Sequence, residues 1–472
     1  MNHSFGKLVR MVLAFGVGVS SVSWQATSLM SDKWQAFGAG AAFSDIQNSP
    51  YKASIEFLAE RGVVSGYADG TFKPTAKINR AEILKIILEA TVKDDIGHSL
   101  DCFRDVRGDW YAKYVCYAKE KGIVSGYPDN TFKPSQNVTM AEALKMGIES
   151  FPVTVPEAGE PWYKKYVEFS HNNNIFSRYS IMPQGFMTRG QMAYLIHQLL
   201  LNQEGTKKFT GVRDSRSAGC GKAKPSPTPT SSTISGVVRH YITDVPSGYS
   251  KDTPISLVFA FHGRTNPNTQ VREYYKVEEA SKGKAIFIYP AGLPEEGPNR
   301  SWSDPGDKAN NLRDFKLFDQ LLEEFSNNYC IDLDQVYVVG HSLGAWFTNS
   351  LACARGNVIR AIGSVGGGTT INECTGPVAA MIMHNPKDNL APFSTGITAR
   401  DQLLKQDQCS AKTKPVEPLD LNCVAYQGCN ETAPVIWCPH TDSTEYGGAY
   451  YPHTWPDHAG EEIWKFFESL GK

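Results

Sequence analysis

The chain has 472 residues, which is enough for two to four domains. Its 47 basic and 49 acidic side chains leave a net charge of −2, and 41% of its residues are hydrophobic. This balance argues against a nucleic-acid partner, which would require a basic excess, and against an acidic disordered chain.

The first 41 residues have the pattern of an export signal. Lys7 and Arg10 precede an apolar stretch over residues 11–24, which is shorter than a membrane-spanning helix requires. Cleavage after Ala26 or within the small-residue run 39–41 would remove the signal, and a retained amino-terminal anchor is the alternative. We therefore predict a leader over residues 1–41 and a secreted protein.

The next segment is an internal repeat. Four short motifs recur in the same order at a spacing of 60 residues, from 43 to 103 for the first of them. They read Phe-x-Asp-(Ile/Val) at 43 and 103, Gly-(Val/Ile)-Val-Ser-Gly-Tyr at 62 and 122, Thr-Phe-Lys-Pro at 71 and 131, and Asn-Arg-Ala-Glu at 79 against Thr-Met-Ala-Glu at 139. A third, degenerate copy ends in Thr-Arg-Gly-Gln at 188–191. Each copy predicts a helix, a turn-rich loop and a second helix.

These motifs resemble the S-layer homology (SLH) family. The resemblance implies an all-α pseudo-trimer of three modules, over residues 42–97, 98–155 and 156–202, which binds a cell-wall polysaccharide at the bacterial surface. Arg80 and Arg189 each begin a predicted second helix, where guanidinium and helix amides can hold an anion. Met140 replaces the arginine in the second copy, so Arg80 is the best preserved ligand position and Arg189 the next. The alternative for both is a solvated charge at a helix end.

Residues 203–234 are predicted to be a linker. The part from 219 to 233 is rich in Pro, Ser and Thr, a composition typical of an extended and poorly packed spacer. The sequence therefore predicts that the repeats and the remaining domain fold independently.

The ten cysteines fit an exported protein. They form no Cys-x-x-Cys motif and no spacing typical of a zinc site, so we expect no metal. Cys102 and Cys116 lie in one repeat and can pair. The other cysteines are Cys220 in the predicted linker and seven in the last part of the chain: Cys330, Cys353, Cys374, Cys409, Cys423, Cys429 and Cys438. The odd number in that part leaves one cysteine free or paired with Cys220.

From residue 235 to 472 the pattern alternates between strands and helices. Apolar, β-branched runs predict strands at 255–261, 285–289, 336–339, 378–383 and 435–437, and helical apolar spacing lies between and after them. Alternation of this kind predicts an α/β domain with a mostly parallel sheet.

Residues 340–344 read Gly-His-Ser-Leu-Gly, between a predicted strand and a predicted helix. This context predicts a nucleophile elbow at Ser342, whose partners follow in the order acid, then histidine. Asp388 lies in the loop after the strand 378–383 and is the predicted acid, with a turn-forming aspartate as the alternative. His453 lies in the loop before the last helix and is the predicted base, with His440 second.

The rest of the predicted site consists of oxyanion donors and aromatic side chains. The donors are the backbone amide of Leu343 and that of Arg264 or Thr265, which follow a His-Gly pair. The aromatic side chains that can line the acyl site are Trp302, Trp346 and Trp455. The alternative for each of them is packing in the core.

Together these motifs resemble the feruloyl esterase and polyhydroxybutyrate depolymerase family of α/β-hydrolases. The carriers are the His-Gly pair at 262, Tyr-Pro-Ala-Gly at 289, the elbow, Asp388 and His-Thr-Trp-Pro at 453. The resemblance implies ester hydrolysis through an acyl-enzyme, without a cofactor, on an ester-bearing polysaccharide or a polyester. Residues 449–452 separate paired glycines from His453, whereas many members have the histidine directly after the glycines, and this leaves the substrate open.

The leading interpretation is a secreted, surface-anchored serine esterase that resembles feruloyl esterases. The alternatives of the same chemistry are a polyhydroxybutyrate depolymerase and an acetyl xylan esterase, and a peptidase or lipase would use the same fold. A non-catalytic surface or S-layer binding protein is the alternative from another class.

Overall fold

The computed structural model describes residues 43–471, apart from 48, 93–95, 97–99, 177–180, 296, 298, 304–312, 371–373 and 447–448. The predicted export signal over residues 1–41 and the glycine pair at 447–448 lie outside the described residues. Within the described part, none of the helices combines the length and the apolar character needed to span a bilayer.

Each repeat contributes two helices to the first half of the chain. They are α1 (Lys52–Glu60) and α2 (Arg80–Thr91), α3 (Ala112–Glu120) and α4 (Met140–Glu149), and α5 (Lys164–Asn172) and α6 (Arg189–Gln203). A short antiparallel hairpin precedes α3 and consists of β1 (Asp101–Phe103) and β2 (Val106–Arg107). The all-α prediction missed this hairpin, which the Cys102–Cys116 disulfide ties to α3.

The second helix of every repeat starts with a capping box. In each box the cap side chain accepts the third helical amide, and the third side chain bonds back to the cap amide: Asn79 with Glu82, Thr139 with Glu142, and Thr188 with Gln191. A cap of this kind contributes about 1 kcal/mol to helix stability. The shared start explains why this motif recurs in all three copies.

The segments that lead into these helices bond to one another in a closed ring. The Ile78 amide donates to the Met187 carbonyl, Val138 to Ile78, and Met187 to Val138, at 3.0, 3.0 and 2.9 Å. All three side chains are fully buried in one apolar core shared by the repeats. The ring therefore sets the start of each second helix against the neighbouring repeat.

The second half of the chain is built on a ten-stranded sheet. Its strands and two small hairpins are β3 (Ser231–Ile234), β4 (Val237–Asp244), β5 (Ile255–Phe261), β6 (Ala285–Pro290), β7 (Leu293–Pro294), β8 (Arg300–Ser301), β9 (Ile331–His341), β10 (Ala361–Val365), β11 (Ala379–Met383), β12 (Thr413–Pro415), β13 (Val424–Tyr426), β14 (Val435–Cys438), β15 (Thr444–Tyr446) and β16 (Ala449–Tyr451). The order in the sheet is β12-β13-β14-β11-β10-β9-β5-β6-β4-β3. The six strands from β14 to β6 are parallel, and an antiparallel pair closes each edge.

Helices cover both faces of this sheet. They are α7 (Asn268–Tyr275), α8 (Val277–Ser281), α9 (Arg313–Asn328), α10 (Leu343–Ala354), α11 (Phe393–Gln406) and α12 (Ala459–Leu470). The sequence of β5 is apolar throughout because both faces of the strand are buried. Leu257 and Phe259 face the core under α9 and α10, whereas Val258 faces the core under α7 and α12. This is the predicted α/β-hydrolase architecture with a mostly parallel sheet.

The prediction of a poorly packed spacer over residues 219–233, within the linker 203–234, is wrong. Cys220 is bonded to Cys330, and residues 231–234 form the edge strand β3. Gly219 lies so close to the backbone of Tyr329 that a Cβ would come within 2.2 Å of its carbonyl oxygen. The segment therefore packs onto the sheet domain, and that unit begins near Arg213 instead of residue 235.

All ten cysteines are paired. The bonds are Cys102–Cys116, Cys220–Cys330, Cys353–Cys374, Cys409–Cys429 and Cys423–Cys438. The predicted Cys102–Cys116 pairing is confirmed. Cys220 is bonded to Cys330, so the other six cysteines of the second half pair with one another.

Candidate active site

Ser342 lies on a strained turn between β9 and α10, at φ 56° and ψ −126°. Residues with a Cβ rarely adopt this conformation, which costs on the order of 1–3 kcal/mol. The two flanking glycines make it possible. A Cβ at Gly340 would lie 2.4 Å from the Gly344 carbonyl oxygen, and a Cβ at Gly344 would lie 2.1 Å from that of Phe261. The predicted strand–turn–helix context of residues 340–344 is therefore present.

The predicted acid and base are hydrogen-bonded. His453 Nδ1 lies 2.6 Å from Asp388 Oδ2, and both side chains are almost fully buried. Asp388 Oδ1 accepts the backbone amides of Leu390 and Ala391 at 2.9 Å each. Burial raises the pKa of Asp388, but the bonds from His453 and these amides outweigh it, so the pKa is lowered overall. The carboxylate is therefore ionised and fixes the orientation of the imidazole.

The segment that bonds to the Ser342 turn also contacts His453. The Ser342 amide donates to the Val365 carbonyl at 3.0 Å, and the next residue, Gly366, packs against the His453 ring, 3.3 Å from Cε1 to a Cβ built there. On the other side, the ring of His341 stacks on that of His453 at 5.0 Å between centroids. Of the two ring nitrogens of His453, Nδ1 is the one that contacts Asp388.

Three other histidines surround this pair and stay neutral. Burial lowers the pKa of His341 to about 3 and that of His440 to about 4. His384, whose pKa burial also lowers, lies with Nε2 2.8 Å from the Ala391 carbonyl oxygen and 3.6 Å from Asp388 Oδ2. Among the described histidines, His453 makes the short contact with the carboxylate, which favours it over His440 as the base.

The oxyanion loop approaches Ser342 through Gly263. A Cβ at Gly263 would lie 3.3 Å from Ser342 Cβ, so the backbone of this loop runs beside the nucleophile. Leu343 is the first residue of α10, where a helix amide has no intrahelical acceptor. The predicted second donors, Arg264 and Thr265, follow Gly263 on the exposed part of the loop.

His262 holds this loop in place, a role that was not predicted from the sequence. Its Nε2 accepts the Gly292 amide at 2.8 Å, while Nδ1 lies 2.6 Å from the Gly263 carbonyl oxygen. Burial lowers its pKa to about 4, so one tautomer of the neutral ring satisfies both backbone groups. Its place beside glycine in the His-Gly pair was the available signal, but its partner Gly292 lies on a distant turn.

Two of the three predicted substrate-binding tryptophans pack in the core, which was the alternative given for them. Trp302 is 5% exposed and donates its indole N–H to the His262 carbonyl at 2.8 Å. Trp455 is buried and stacks on Tyr275 with 4.0 Å between centroids. Trp346 is half-buried on the first turn of α10, with its amide bonded to the Ser342 carbonyl, and it remains a candidate for the acyl site.

The two predicted wall-binding arginines differ in their partners. Arg80 donates to the Phe132 carbonyl at 2.8 Å and pairs with Glu142 at 3.3 Å. Arg189 donates to the Phe72 and Ser65 carbonyls at 3.0 and 3.3 Å. Both are buried, which excludes solvated helix-end charges.

Arg189 lines a cavity of about 220 Å³ together with side chains of the first and second repeats, among them Glu82, Lys85, Glu89 and Trp110. Trp110 is 44% exposed at this cavity. The cavity therefore combines two cationic side chains, two carboxylates and an exposed indole.

The chain is similar to characterised families in two respects. Residues 42–84, 103–144 and 155–193 match the S-layer homology domain. Feruloyl esterase D of Neurospora crassa is 29% identical over 245 residues, which are 48% of this chain and 80% of that protein. Feruloyl esterase C of Emericella nidulans is 30% identical over 210 residues, 43% of this chain and 73% of that protein.

A further protein and a solved structure are also similar to this chain. A cellulosome-anchoring protein of Acetivibrio thermocellus is 34% identical over 109 residues, 22% of this chain and 24% of that protein. Among solved structures, a CE1 ferulic acid esterase from Anaeromyces mucronatus, in complex with ferulic acid, aligns with 55% of this chain and 97% of its own, at 13% identity and a TM-score of 0.34.

Proposed function

The chain belongs to the feruloyl esterase family, and on that premise we propose a secreted, surface-anchored esterase that cleaves hydroxycinnamoyl esters of plant cell-wall polysaccharide. It is a carboxylic ester hydrolase. The observation that carries the assignment of its site is the 2.6 Å contact between His453 and Asp388 beside the strained turn at Ser342.

In this mechanism Ser342 Oγ attacks the ester carbonyl carbon while His453 Nε2 accepts the hydroxyl proton. Asp388 stabilises the imidazolium that results. The tetrahedral oxyanion is held by the amide of Leu343 and by that of Arg264 or Thr265, and each donor contributes about 3 kcal/mol. The imidazolium then protonates the departing alcohol, and water, activated by the same histidine, releases the acid from the acyl-serine.

His262 supports this step without touching the substrate. Because its ring holds the Gly263 carbonyl and the Gly292 amide together, it fixes the loop on which the second oxyanion donor lies. Preorganised donors of this kind stabilise a transition state because they need no reorganisation when charge develops.

We expect kcat/KM to be higher for methyl ferulate than for methyl acetate, because the family and the half-buried Trp346 favour an aromatic acyl group. Turnover of both esters and of 3-hydroxybutyrate oligomers, measured side by side, checks this. Trp346→Ala is expected to reduce the ratio of feruloyl to acetyl turnover, and Trp346→Phe to preserve most of it. A preference for acetyl esters or for the oligomers would instead support an acetyl xylan esterase or a depolymerase.

The repeats are proposed to form a pseudo-trimer that binds an anionic cell-wall polysaccharide at the bacterial surface. Support comes from the matches to the S-layer homology domain and from the similarity to a cellulosome-anchoring protein. The cavity at Arg189 suits an anion better than the surroundings of Arg80, because Arg80 already forms an ion pair with Glu142. This reverses the ranking expected from the sequence.

We therefore expect Arg189→Ala to weaken co-sedimentation with purified cell-wall sacculi more than Arg80→Ala does. Arg189→Lys keeps the charge and is expected to retain part of the binding. Raised salt is expected to weaken it only slightly, since Arg189 is buried and buried charge pairs are screened much less than exposed ones. Thermal unfolding of each variant separates lost binding from lost folding. Equal binding by the wild type and a folded Arg189→Ala variant would reject this role.

A further inference from the structure

The three repeats place equivalent side chains around three grooves: the first at Arg189, the second at Arg80 and the third at Met140. The third groove differs from the other two. The equivalence follows from helix positions: Arg80, Met140 and Arg189 begin the second helices, Glu82, Glu142 and Gln191 are their third residues, and Tyr51, Tyr111 and Tyr163 cap the first helices. Lys85, Lys145 and Tyr194 follow three residues after the capping-box partner, and Pro50, Trp110 and Trp162 precede the capping tyrosine.

The first two grooves keep one set of groups. Lys85 lies 5.8 Å from the ring of Trp110 in the first, and Lys145 lies 5.9 Å from the ring of Trp162 in the second. In the third, the equivalents of lysine, glutamate, tryptophan and arginine are Tyr194, Gln191, Pro50 and Met140. Every charged position of the set has become neutral.

Aromatic rings fill the third groove instead. Tyr194 packs against Tyr51 and Phe176, with ring centroids 6.0 and 5.3 Å apart. Tyr51 and Gln191 both line this groove. A groove of this kind offers packing area to protein and little attraction to an acidic sugar.

The beginning of the sheet domain reaches this groove. Arg213 donates to Asn174 Oδ1 in the third repeat at 2.7 Å and forms a two-pronged pair with Asp334, at 2.6 and 3.0 Å. The side chains of Arg213 and Asp334 are only 21% and 14% exposed. A cavity of about 370 Å³ beside them is lined from the repeats by Tyr51, Phe176 and Tyr194, and from the sheet domain by Leu333 and Val358.

The connection between the two parts is too short for free reorientation. Phe209 packs on Phe169 of the repeats at 5.6 Å between centroids, and the Leu333 amide holds the Ser215 carbonyl on the sheet domain at 2.8 Å. Only residues 210–212 separate Phe209 from Arg213. A tether of this length gives a contact between the two parts a high effective concentration.

We propose that the third groove is an intramolecular docking surface for the esterase domain and not a polysaccharide site. Arg213 joins the two sides, and the loss of charge in the groove removes competition from anionic sugars. The esterase domain is thereby held in one orientation on the repeats, while the grooves at Arg80 and Arg189 stay clear of it.

The test is small-angle X-ray scattering of the full chain, because it reports the relative placement of the two parts. Arg213→Glu opposes Asp334 and is expected to raise the radius of gyration. The charge swap Arg213→Glu with Asp334→Arg is expected to restore the wild-type value. Arg216→Glu is the matched control, since Arg216 is exposed and bonds to Asp214 on its own segment.

Ester turnover is measured on the same samples and is expected to stay unchanged, because these residues lie outside the active site. Unchanged turnover shows that the esterase domain of each variant is folded. Wild-type scattering that fits two independently moving parts would overturn the proposal. So would an unchanged radius of gyration in Arg213→Glu, or an increase of the same size in Arg216→Glu.

Discussion

Ser342→Ala is expected to lower kcat for ester hydrolysis by about 10⁶-fold, the loss typical of a catalytic-triad serine. The hydroxyl is the nucleophile in the proposed mechanism. The substitution keeps the Cβ, so the positive φ of 56° is as strained for alanine as for serine, and the fold is expected to survive. Turnover of methyl ferulate by the purified variant, together with thermal unfolding, measures both effects.

Ser350→Ala is the matched control for this change. Ser350 lies on α10, the helix that Ser342 caps, and is buried, but it is eight positions away from the elbow (342 to 350). We expect it to retain activity within a small factor. Appreciable turnover by pure Ser342→Ala would show that another group is the nucleophile.

The elbow could be predicted because its determinants are local. The strand, the two glycines and the helix lie within one short stretch, and the close approaches of Gly340 and Gly344 to backbone oxygens are what a sharp turn demands. Strand β5 has the predicted bounds for a similar reason, since an apolar run buried on both faces is continuous in sequence. The order of acid and base along the chain then selected Asp388 and His453.

Contacts between distant residues could not be predicted in the same way. The composition of residues 219–233 suggested a spacer, but Cys220 is bonded to a cysteine 110 positions later. Trp302 was a candidate for the acyl site because it is aromatic, but its indole bonds to the His262 carbonyl, 40 positions away. Arg80 was ranked first because its motif is the best preserved, but Glu142 approaches it from another repeat. In each case the deciding neighbour is set by tertiary packing.

His453→Ala is expected to reduce kcat about as severely as Ser342→Ala, because without the base the serine hydroxyl keeps its proton. Asp388→Asn is expected to cost about 10⁴-fold in kcat with little change in KM. An asparagine carries no charge to stabilise the imidazolium, and its NH2 group can donate to Nδ1 where the carboxylate now lies 2.6 Å away. The imidazole is then held in the wrong tautomer. Steady-state kinetics on methyl ferulate separates kcat from KM.

His440→Ala is the control that tests the choice between the two histidines. Both rings are buried, but the carboxylate of Asp388 bonds to His453, and burial already holds His440 neutral by lowering its pKa to about 4. His440→Ala is therefore expected to change stability more than kcat, and to leave the double variant with His453→Ala no slower than His453→Ala alone. If His440→Ala abolished turnover in a folded protein while His453→Ala did not, His440 would be the base, and the Asp388–His453 pair would be a structural contact.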